Sequence, residues 1–186
     1  MKRLFDLMIS VFALMIFLVP GVLVALVVWL TSKGPVIYWS DRVGQYNKIF
    51  KMPKFRTMKV NTPAVATHLV VNAEHHLTPL GSFLRKSSLD ELPQLWCIMK
   101  GEMSFVGPRP ALFNQDDLIQ LRTEKGIDKL VPGLTGWAQV NGRDELSVPL
   151  KVALDLEYME RQSHGLDLYI LWLTFLKVIC GDAVSH

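Results

Sequence analysis

The stretch LFDLMISVFALMIFLVPGVLVALVVWL runs from Leu4 to Leu30 and is almost wholly apolar. About twenty consecutive apolar residues cross the hydrocarbon core of a bilayer as a helix, so this run is long enough to enter a membrane. A cleaved signal peptide has a much shorter apolar core followed by a small-residue cleavage site, and this stretch has neither. The sequence therefore predicts a membrane helix at residues 1–32 and one further domain at residues 33–186.

The residues on either side of the apolar stretch, and the proline within it, affect whether the helix spans the bilayer or returns to the same face. Lys2 and Arg3 precede it, and further cations follow it at Lys33, Arg42, Lys48, Lys51, Lys54 and Arg56. Because both flanks are basic, the positive-inside rule gives a spanning helix no clear orientation. Pro20 lies near the middle, where it removes one backbone hydrogen bond and collides with the carbonyl of Ile16. The pattern leaves two alternatives open, a kinked spanning helix and a helix that bends and returns.

The composition limits the classes of partner. The chain has 186 residues, a hydrophobic fraction of 50% and a formal net charge of +3. This charge is too small, and the recognisable motifs are too few, to predict nucleic-acid binding. A weakly basic surface beside an apolar helix favours anionic lipid headgroups instead. Cys97 and Cys180 lie in apolar surroundings without ligand spacing, which is typical of reduced core cysteines.

The remaining patterns predict a mainly α fold with a small β-hairpin, of the α+β class. The two hairpin strands are expected around Val36–Trp39 and Ile49–Met52, on either side of a run of turn residues. Pro79–Lys100 is expected to be helical in two pieces, with a break around Ser87 and Ser88. The apolar segment Leu166–Cys180 is too short to cross a bilayer. It is expected to form either a buried core helix or an amphipathic helix lying at the membrane interface.

Two adjacent carboxylates, Asp90 and Glu91, lie within RKSSLDELPQL at residues 85–95. Ser88 and Glu91 have the spacing of a capping box, in which Glu91 bonds back to the backbone of Ser88. Alternatively Asp90 is itself the N-cap, which places Pro93 where no hydrogen-bond partner is needed. A helix start favours anions in either case, so capping and catalysis both remain open.

Cations near this pair indicate a phosphorylated substrate. Arg85 lies just before it, Arg109 is held between two prolines in GEMSFVGPRP at residues 101–110, and Lys54 lies in KFRTM at residues 54–58. The planar fork of arginine suits two-point contact with phosphate oxygens. Two carboxylates can act as nucleophile and base, or can hold a divalent cation that neutralises a diphosphate. The chain lacks the GxxxxGK[ST] and GxGxxG loops, so any nucleotide is bound by another route.

At these residues the chain resembles the small monotopic phosphoglycosyl transferases of bacterial glycoconjugate pathways, which are polyprenyl-phosphate sugar-phosphate transferases. The resemblance covers nearly the whole chain in order. It rests on the basic start before the apolar run, on the motifs quoted above, and on PGLTGWAQVNGR at residues 132–143. One departure is Val19 before Pro20, where the family often has serine.

The resemblance implies a reaction. A sugar 1-phosphate would pass from a UDP-sugar to undecaprenyl phosphate, with release of UMP, as the first membrane step of polysaccharide or other glycoconjugate assembly. Asp90 would be the nucleophile of a covalent phospho-aspartate intermediate. Glu91 would be its partner, as a base or as a metal contact. Mg²⁺ would be the cofactor, held by Asp90 and Glu91.

The resemblance also implies further contacts and a location. Lys54, Arg85, Arg109 and Arg143 would bind the substrate. The membrane helix would be re-entrant and broken near Pro20, so that the catalytic domain lies on membrane lipid at the cytoplasmic face of the bacterial inner membrane. The expected sugar is an N-acetylated hexosamine or 6-deoxyhexosamine. The oligomeric state stays open, with a homodimer as one alternative. Two competing functions are a membrane-anchored scaffold and a lipid-diphosphate phosphohydrolase.

Overall fold

The computed structural model describes residues 2–60, 62, 76–142 and 145–180. The α-helices are α1 (Lys2–Thr31), α2 (Gly81–Lys86), α3 (Leu95–Lys100), α4 (Asp116–Glu124), α5 (Trp137–Val140), α6 (Val148–Arg161) and α7 (His164–Cys180). The strands are β1 (Ile37–Val43), β2 (Ile49–Phe55), β3 (Ser104–Val106) and β4 (Gly133–Thr135). Short 3₁₀-helices lie at Gln45–Asn47, Leu89–Gln94 and Ile127–Lys129. The predicted α+β class is confirmed.

The strands form two small sheets. β1 and β2 pair antiparallel as the predicted hairpin, with Ile37 opposite Phe55 and Val43 opposite Ile49. β3 and β4 form a parallel pair that the sequence analysis did not predict, since residues 132–136 had the composition of a turn. Three-residue strands are too short to show an alternating pattern, so only packing reveals them.

The predicted helical region between Pro79 and Lys100 breaks where expected. α2 ends at Lys86, and Ser88 adopts a left-handed backbone conformation with φ of 55°. The chain then continues as the 3₁₀-helix Leu89–Gln94 and as α3, whose Cys97 and Ile98 are fully buried. Burial raises the pKa of the Cys97 thiol to about 12, so this cysteine is an unreactive core residue.

The main core lies between β2, α3, β3, α6 and α7. Its buried side chains are Met52, Leu95, Cys97, Ile98, Met103, Phe105, Val106, Val140, Tyr158 and Ile170. A second cluster joins α4 to α6 through Leu118, Ile127 and Val152. The hairpin and α3 therefore pack against the same core. This shared packing fixes the position of the segment Leu89–Gln94, which connects to α3 and contacts β2.

The apolar helix α1 is docked on this domain near both of its ends. At its start, Lys2 donates to Asp167 at 2.6 Å, and the Asp6 carboxylate accepts from the Ser104 hydroxyl at 3.0 Å and the Phe105 amide at 3.2 Å. Near its other end, Val28 is buried against Phe55 and Leu84. The helical backbone continues through Pro20, without the break that was expected near this residue.

The middle of α1 faces outward. Its exposed apolar side chains include Met15, Ile16, Leu18, Val19, Val22 and Leu23. α1 is, within the described residues, the one helix long and apolar enough to cross a membrane. An apolar surface of this size is not stable in water, so the protein is membrane-associated through α1.

α7 combines the two alternatives considered for Leu166–Cys180. Ile170 and Asp167 are buried on one face of the helix. The opposite face exposes Leu168, Tyr169, Trp172, Phe175 and Leu176. One face of α7 is therefore part of the core, and the other presents an apolar surface with aromatic side chains.

Candidate active site

Asp90 and Glu91 lie in the first turn of the 3₁₀-helix Leu89–Gln94. Neighbouring side chains on such a helix point about 120° apart, because it has three residues per turn. Ser88 precedes this helix without a side-chain capping bond, and its carbonyl accepts from the Glu91 amide at 3.1 Å. Both capping predictions are therefore wrong: Glu91 bonds elsewhere, and the helix begins before Asp90. The left-handed backbone of Ser88 turns the chain where a capping side chain was expected.

Glu91 is the centre of an ion-pair cluster. Its Oε1 atom accepts from Lys54 Nζ at 2.7 Å and from an Arg109 guanidinium nitrogen at 3.2 Å. The Glu91 side chain is only 12% exposed, and that of Lys54 is 16% exposed. The pair therefore lies in a partly buried environment, where charges interact more strongly than at an open surface.

Asp90 lies beside this cluster and is 7% exposed. Burial raises the pKa of its carboxyl, and the neighbouring Glu91 charge raises it further. Lys54, Arg85 and Arg109 oppose this rise. The described residues give the Asp90 carboxylate no hydrogen-bond partner. An ionised oxygen in this position is more basic than that of an ordinary aspartate, and the charges of three cations act on it.

Lys54 lies near the end of β2 and faces the carboxylates from the hairpin. Burial lowers the pKa of its ammonium group, and the Arg109 charge lowers it further, against the attraction of Glu91 and Asp90. The attraction of Glu91 and Asp90 therefore does not fully offset the cost of burying the Lys54 charge. An additional anion, such as a phosphate, would stabilise it.

Backbone contacts between β3 and β4 fix the loop that carries Arg109. The Gly107 amide donates to Thr135 at 2.9 Å, and the Gly133 amide donates to Pro108 at 2.9 Å. A Cβ atom on Gly107 would lie 2.4 Å from the carbonyl oxygen of Val131, so only glycine permits this approach. The loop is therefore held rigidly against β4, with Arg109 directed to Glu91.

Arg85 approaches from the end of α2. Its Nε donates to the Thr57 hydroxyl at 3.0 Å, and its charge favours the ionised form of Asp90. The structure thus brings together five predicted residues from four separate segments: Lys54, Arg85, Asp90, Glu91 and Arg109. The sixth, Arg143, lies outside the described residues.

Sequence reasoning missed the residues that support this site. Thr57 holds Arg85, and Arg42 donates to the carbonyl of Pro110 at 3.1 Å. Arg122 donates to the carbonyl of Arg109 at 2.7 Å. Thr57 lies in the quoted KFRTM motif, but no local pattern marks its contact with Arg85 or the contacts of Arg42 and Arg122, because each acts on a segment distant in sequence.

The donor set fits Mg²⁺. Asp90 and Glu91 supply carboxylate oxygens, which are the ligands that Mg²⁺ prefers. The described residues contain no group of three or more histidine, cysteine or acidic side chains placed to hold a metal ion. A magnesium ion held by these two carboxylates would need water and substrate phosphates to complete its coordination.

Comparison with known proteins identifies the family of the chain. The family model described as bacterial sugar transferase matches residues 1–181. A similar protein is EpsL of Bacillus subtilis (strain 168), named as an uncharacterized sugar transferase. It is 40% identical over 188 residues, covering 100% of this chain and 91% of EpsL.

Longer relatives match over one part of their length. The UDP-glucose:undecaprenyl-phosphate glucose-1-phosphate transferase of Escherichia coli (strain K12) is 39% identical over 98% of this chain and 41% of its own length. The undecaprenyl-phosphate glucose phosphotransferase of Komagataeibacter xylinus is 38% identical over 96% of this chain and 36% of its own length. The family match over nearly the whole sequence confirms the resemblance. The chain belongs to the bacterial sugar transferase family and is a transferase enzyme.

Proposed function

We propose that the protein transfers a sugar 1-phosphate from a UDP-sugar to undecaprenyl phosphate and releases UMP. The observation that carries this proposal is the cluster of Lys54, Arg85 and Arg109 around two adjacent carboxylates, next to a membrane helix. The cations suit a diphosphate, and the helix gives access to a lipid substrate. The names of the E. coli and K. xylinus relatives support the same lipid carrier.

The reaction proceeds in two displacements at one phosphorus atom. An Asp90 oxygen attacks the phosphorus that bears the sugar, and the bond from that phosphorus to the bridging oxygen breaks. UMP leaves with the bonding electron pair. An oxygen of undecaprenyl phosphate then attacks the same phosphorus and releases the Asp90 carboxylate. The product is a lipid-linked diphosphate sugar.

The site residues divide the remaining tasks. Arg109 and Lys54 neutralise the phosphate oxygens, and Arg85 helps to keep Asp90 ionised. Glu91 holds the two cations before the substrate binds, and afterwards it is the nearest carboxylate for a base or metal contact. Mg²⁺ bound to Asp90 and Glu91 would add positive charge against the diphosphate. Arg143 remains a proposed substrate contact.

The docking of α1 supports a re-entrant arrangement. Lys2 and Val28 lie near opposite ends of α1, and both contact the one domain. In the proposed arrangement both ends lie on the same face of the membrane, and the exposed middle of α1 enters the hydrocarbon. Pro20 lies at this depth, where the loss of one backbone bond eases a bend. Because nucleotide-sugars occur in the cytoplasm, the proposed location of the domain is the cytoplasmic face of the inner membrane.

The exposed face of α7 supports a second membrane contact. Tyr169 and Trp172 suit the headgroup level of a bilayer, because their rings combine an apolar body with a polar group. α7 would then lie along the interface and support the domain beside α1.

A panel of UDP-sugars tests the proposal. The purified protein in lipid nanodiscs is incubated with each UDP-sugar, Mg²⁺ and undecaprenyl phosphate, and UMP is measured. We expect UMP release with one class of sugar, led by N-acetylated hexosamines and 6-deoxyhexosamines. Intact-mass analysis without the lipid should show a sugar-phosphate adduct on Asp90.

Two outcomes would overturn the proposal. Release of free sugar phosphate in place of a lipid-linked product would indicate a hydrolase, such as a lipid-diphosphate phosphohydrolase acting on the lipid-linked diphosphate. Full biological function of an Asp90→Asn variant would indicate a scaffold, since that change removes only the nucleophilic carboxylate.

A further inference from the structure

Arg122 and Arg42 donate hydrogen bonds to the backbone of the loop that carries Arg109. Arg122 extends from α4, and its Nη1 atom donates to the carbonyl oxygen of Arg109 at 2.7 Å. Arg42 donates to the next carbonyl, that of Pro110, at 3.1 Å. Two successive carbonyls of this loop are therefore held by guanidinium groups from other elements.

Arg122 is in turn held by a buried carboxylate. Its Nε and Nη2 atoms donate to Asp155 Oδ2 at 3.0 and 2.6 Å. Asp155 lies on α6, three residues after Val152 of the cluster that joins α4 to α6, and is 1% exposed. Burial raises the pKa of the Asp155 carboxyl, and Arg122 opposes this rise.

A buried ion pair of this kind adds little to stability. The cost of removing both charges from water often equals or exceeds their attraction, so apolar side chains would serve the core as well. The geometry indicates a different use. The fork of Arg122 contacts the carboxylate and the Arg109 backbone at the same time, which a shorter or single-point donor cannot do.

We propose that Arg122 and Asp155 are positioning residues that fix the Arg109 guanidinium for phosphate binding. This inference rests on the proposed function, in which Arg109 binds a substrate phosphate. Pro108 and Pro110 limit the loop through their fixed φ angles. Arg122 removes the remaining freedom by holding the carbonyl between them. A misplacement of about 1 Å in such a site costs about 100-fold in rate, so this support affects catalysis without touching the substrate.

A double-mutant cycle tests the inference. Arg122→Lys is made in the wild-type and Arg109→Ala backgrounds, and kcat/KM for UMP release is measured with the thermal unfolding temperature. In the wild-type background we expect Arg122→Lys to lower kcat/KM about 10- to 100-fold. In the Arg109→Ala background we expect it to change kcat/KM less than about threefold, because the group it positions is absent. Any loss of thermal stability should be the same in both backgrounds.

A matched control separates this effect from loss of an arginine in general. Arg161→Lys makes the same substitution in an ion pair with Glu157 on α6, whose side chains are exposed to solvent. We expect it to leave kcat/KM unchanged. If Arg122→Lys does not fold, Asp155→Asn replaces it in the cycle, since it keeps Arg122 but removes the charge that holds it.

The outcomes are distinguishable. An unchanged kcat/KM in Arg109→Ala would refute the assigned role of Arg109 and therefore the proposed function of the site. A lowered kcat/KM in Arg109→Ala, together with an undiminished effect of Arg122→Lys in that background, would refute the positioning inference alone. Wild-type kcat/KM in the single Arg122→Lys variant would refute it as well.

Discussion

Replacing Lys54 and Glu91 separately and together tests whether their ion pair serves function rather than stability. Lys54 Nζ lies 2.7 Å from Glu91 Oε1, and both side chains are largely buried. Two unit charges about 4 Å apart attract by about 4 kcal/mol at an effective dielectric constant of about 20. Desolvation offsets most of this attraction, as the lowered pKa of Lys54 indicates.

The size of each effect follows from what remains in the site. Removing one partner of a buried pair costs about 3–5 kcal/mol when the other charge is left uncompensated. After Lys54→Met, Arg109 still contacts Glu91 at 3.2 Å, so we expect a smaller loss of about 1–3 kcal/mol. Glu91→Gln leaves Asp90 near Lys54, and we expect a similar loss. The double variant has neither buried charge, so its free energy of unfolding should return to within about 1 kcal/mol of the wild type or exceed it.

Urea unfolding of the four proteins in detergent micelles measures these free energies. A matched control is Lys51→Met on the same strand, whose partner is Asp41 and whose side chain is 66% exposed. Exposed pairs contribute about 0–1 kcal/mol, so this variant should unfold like the wild type. A double variant that loses the full sum of both single losses would show that Lys54 and Glu91 are not coupled, and would refute the reasoning. UMP release should be lost in the double variant although its stability is not.

Four further predictions concern single positions. Asp90→Asn should lower UMP release about 10⁴-fold or more. Because burial raises the pKa of Asp90 in the folded state, the ionised carboxylate costs stability once pH rises through that pKa. The Asp90→Asn variant should therefore unfold at a higher temperature than the wild type at pH 8, and this difference should disappear in acid. A lower unfolding temperature of the variant at pH 8 would contradict this prediction. Arg85→Gln removes a charge that lowers the pKa of Asp90, so the acid limb of the pH profile of kcat/KM should move to higher pH, and a shift to lower pH would exclude this role. Asp167→Asn removes the carboxylate charge that pairs with Lys2 and should lower the unfolding temperature in micelles by several degrees, whereas an unchanged temperature argues against docking of α1 at its start. Trp172→Glu should reduce co-sedimentation with anionic liposomes while thermal stability is retained, and undiminished co-sedimentation would remove α7 from the membrane contact.

Several parts of the fold follow from neighbouring residues and were correctly predicted. Apolar length predicts α1, and strand-forming residues on either side of turn residues predict the hairpin of β1 and β2. The interruption at Ser87 and Ser88 was also found. The capping predictions were wrong because a local sequence spacing does not show which distant side chains contact the same residue. The spacing of Ser88 and Glu91 matches a capping box, but two cations from distant segments bind Glu91 more strongly than a backbone amide would.

The sequence by itself determined the apolar helix, the α+β class and the identity of five residues that meet in the candidate site. Their residue types and motif spacing carry that information, because charge and hydrophobic pattern are properties of the chain before it folds. Only the tertiary structure decided which groups pair. Lys54 and Glu91 are 37 residues apart, Arg122 and Asp155 are 33 apart, and Lys2 and Asp167 are 165 apart. Each of these contacts depends on how the helices and the hairpin pack on a shared core, and no local pattern records that packing.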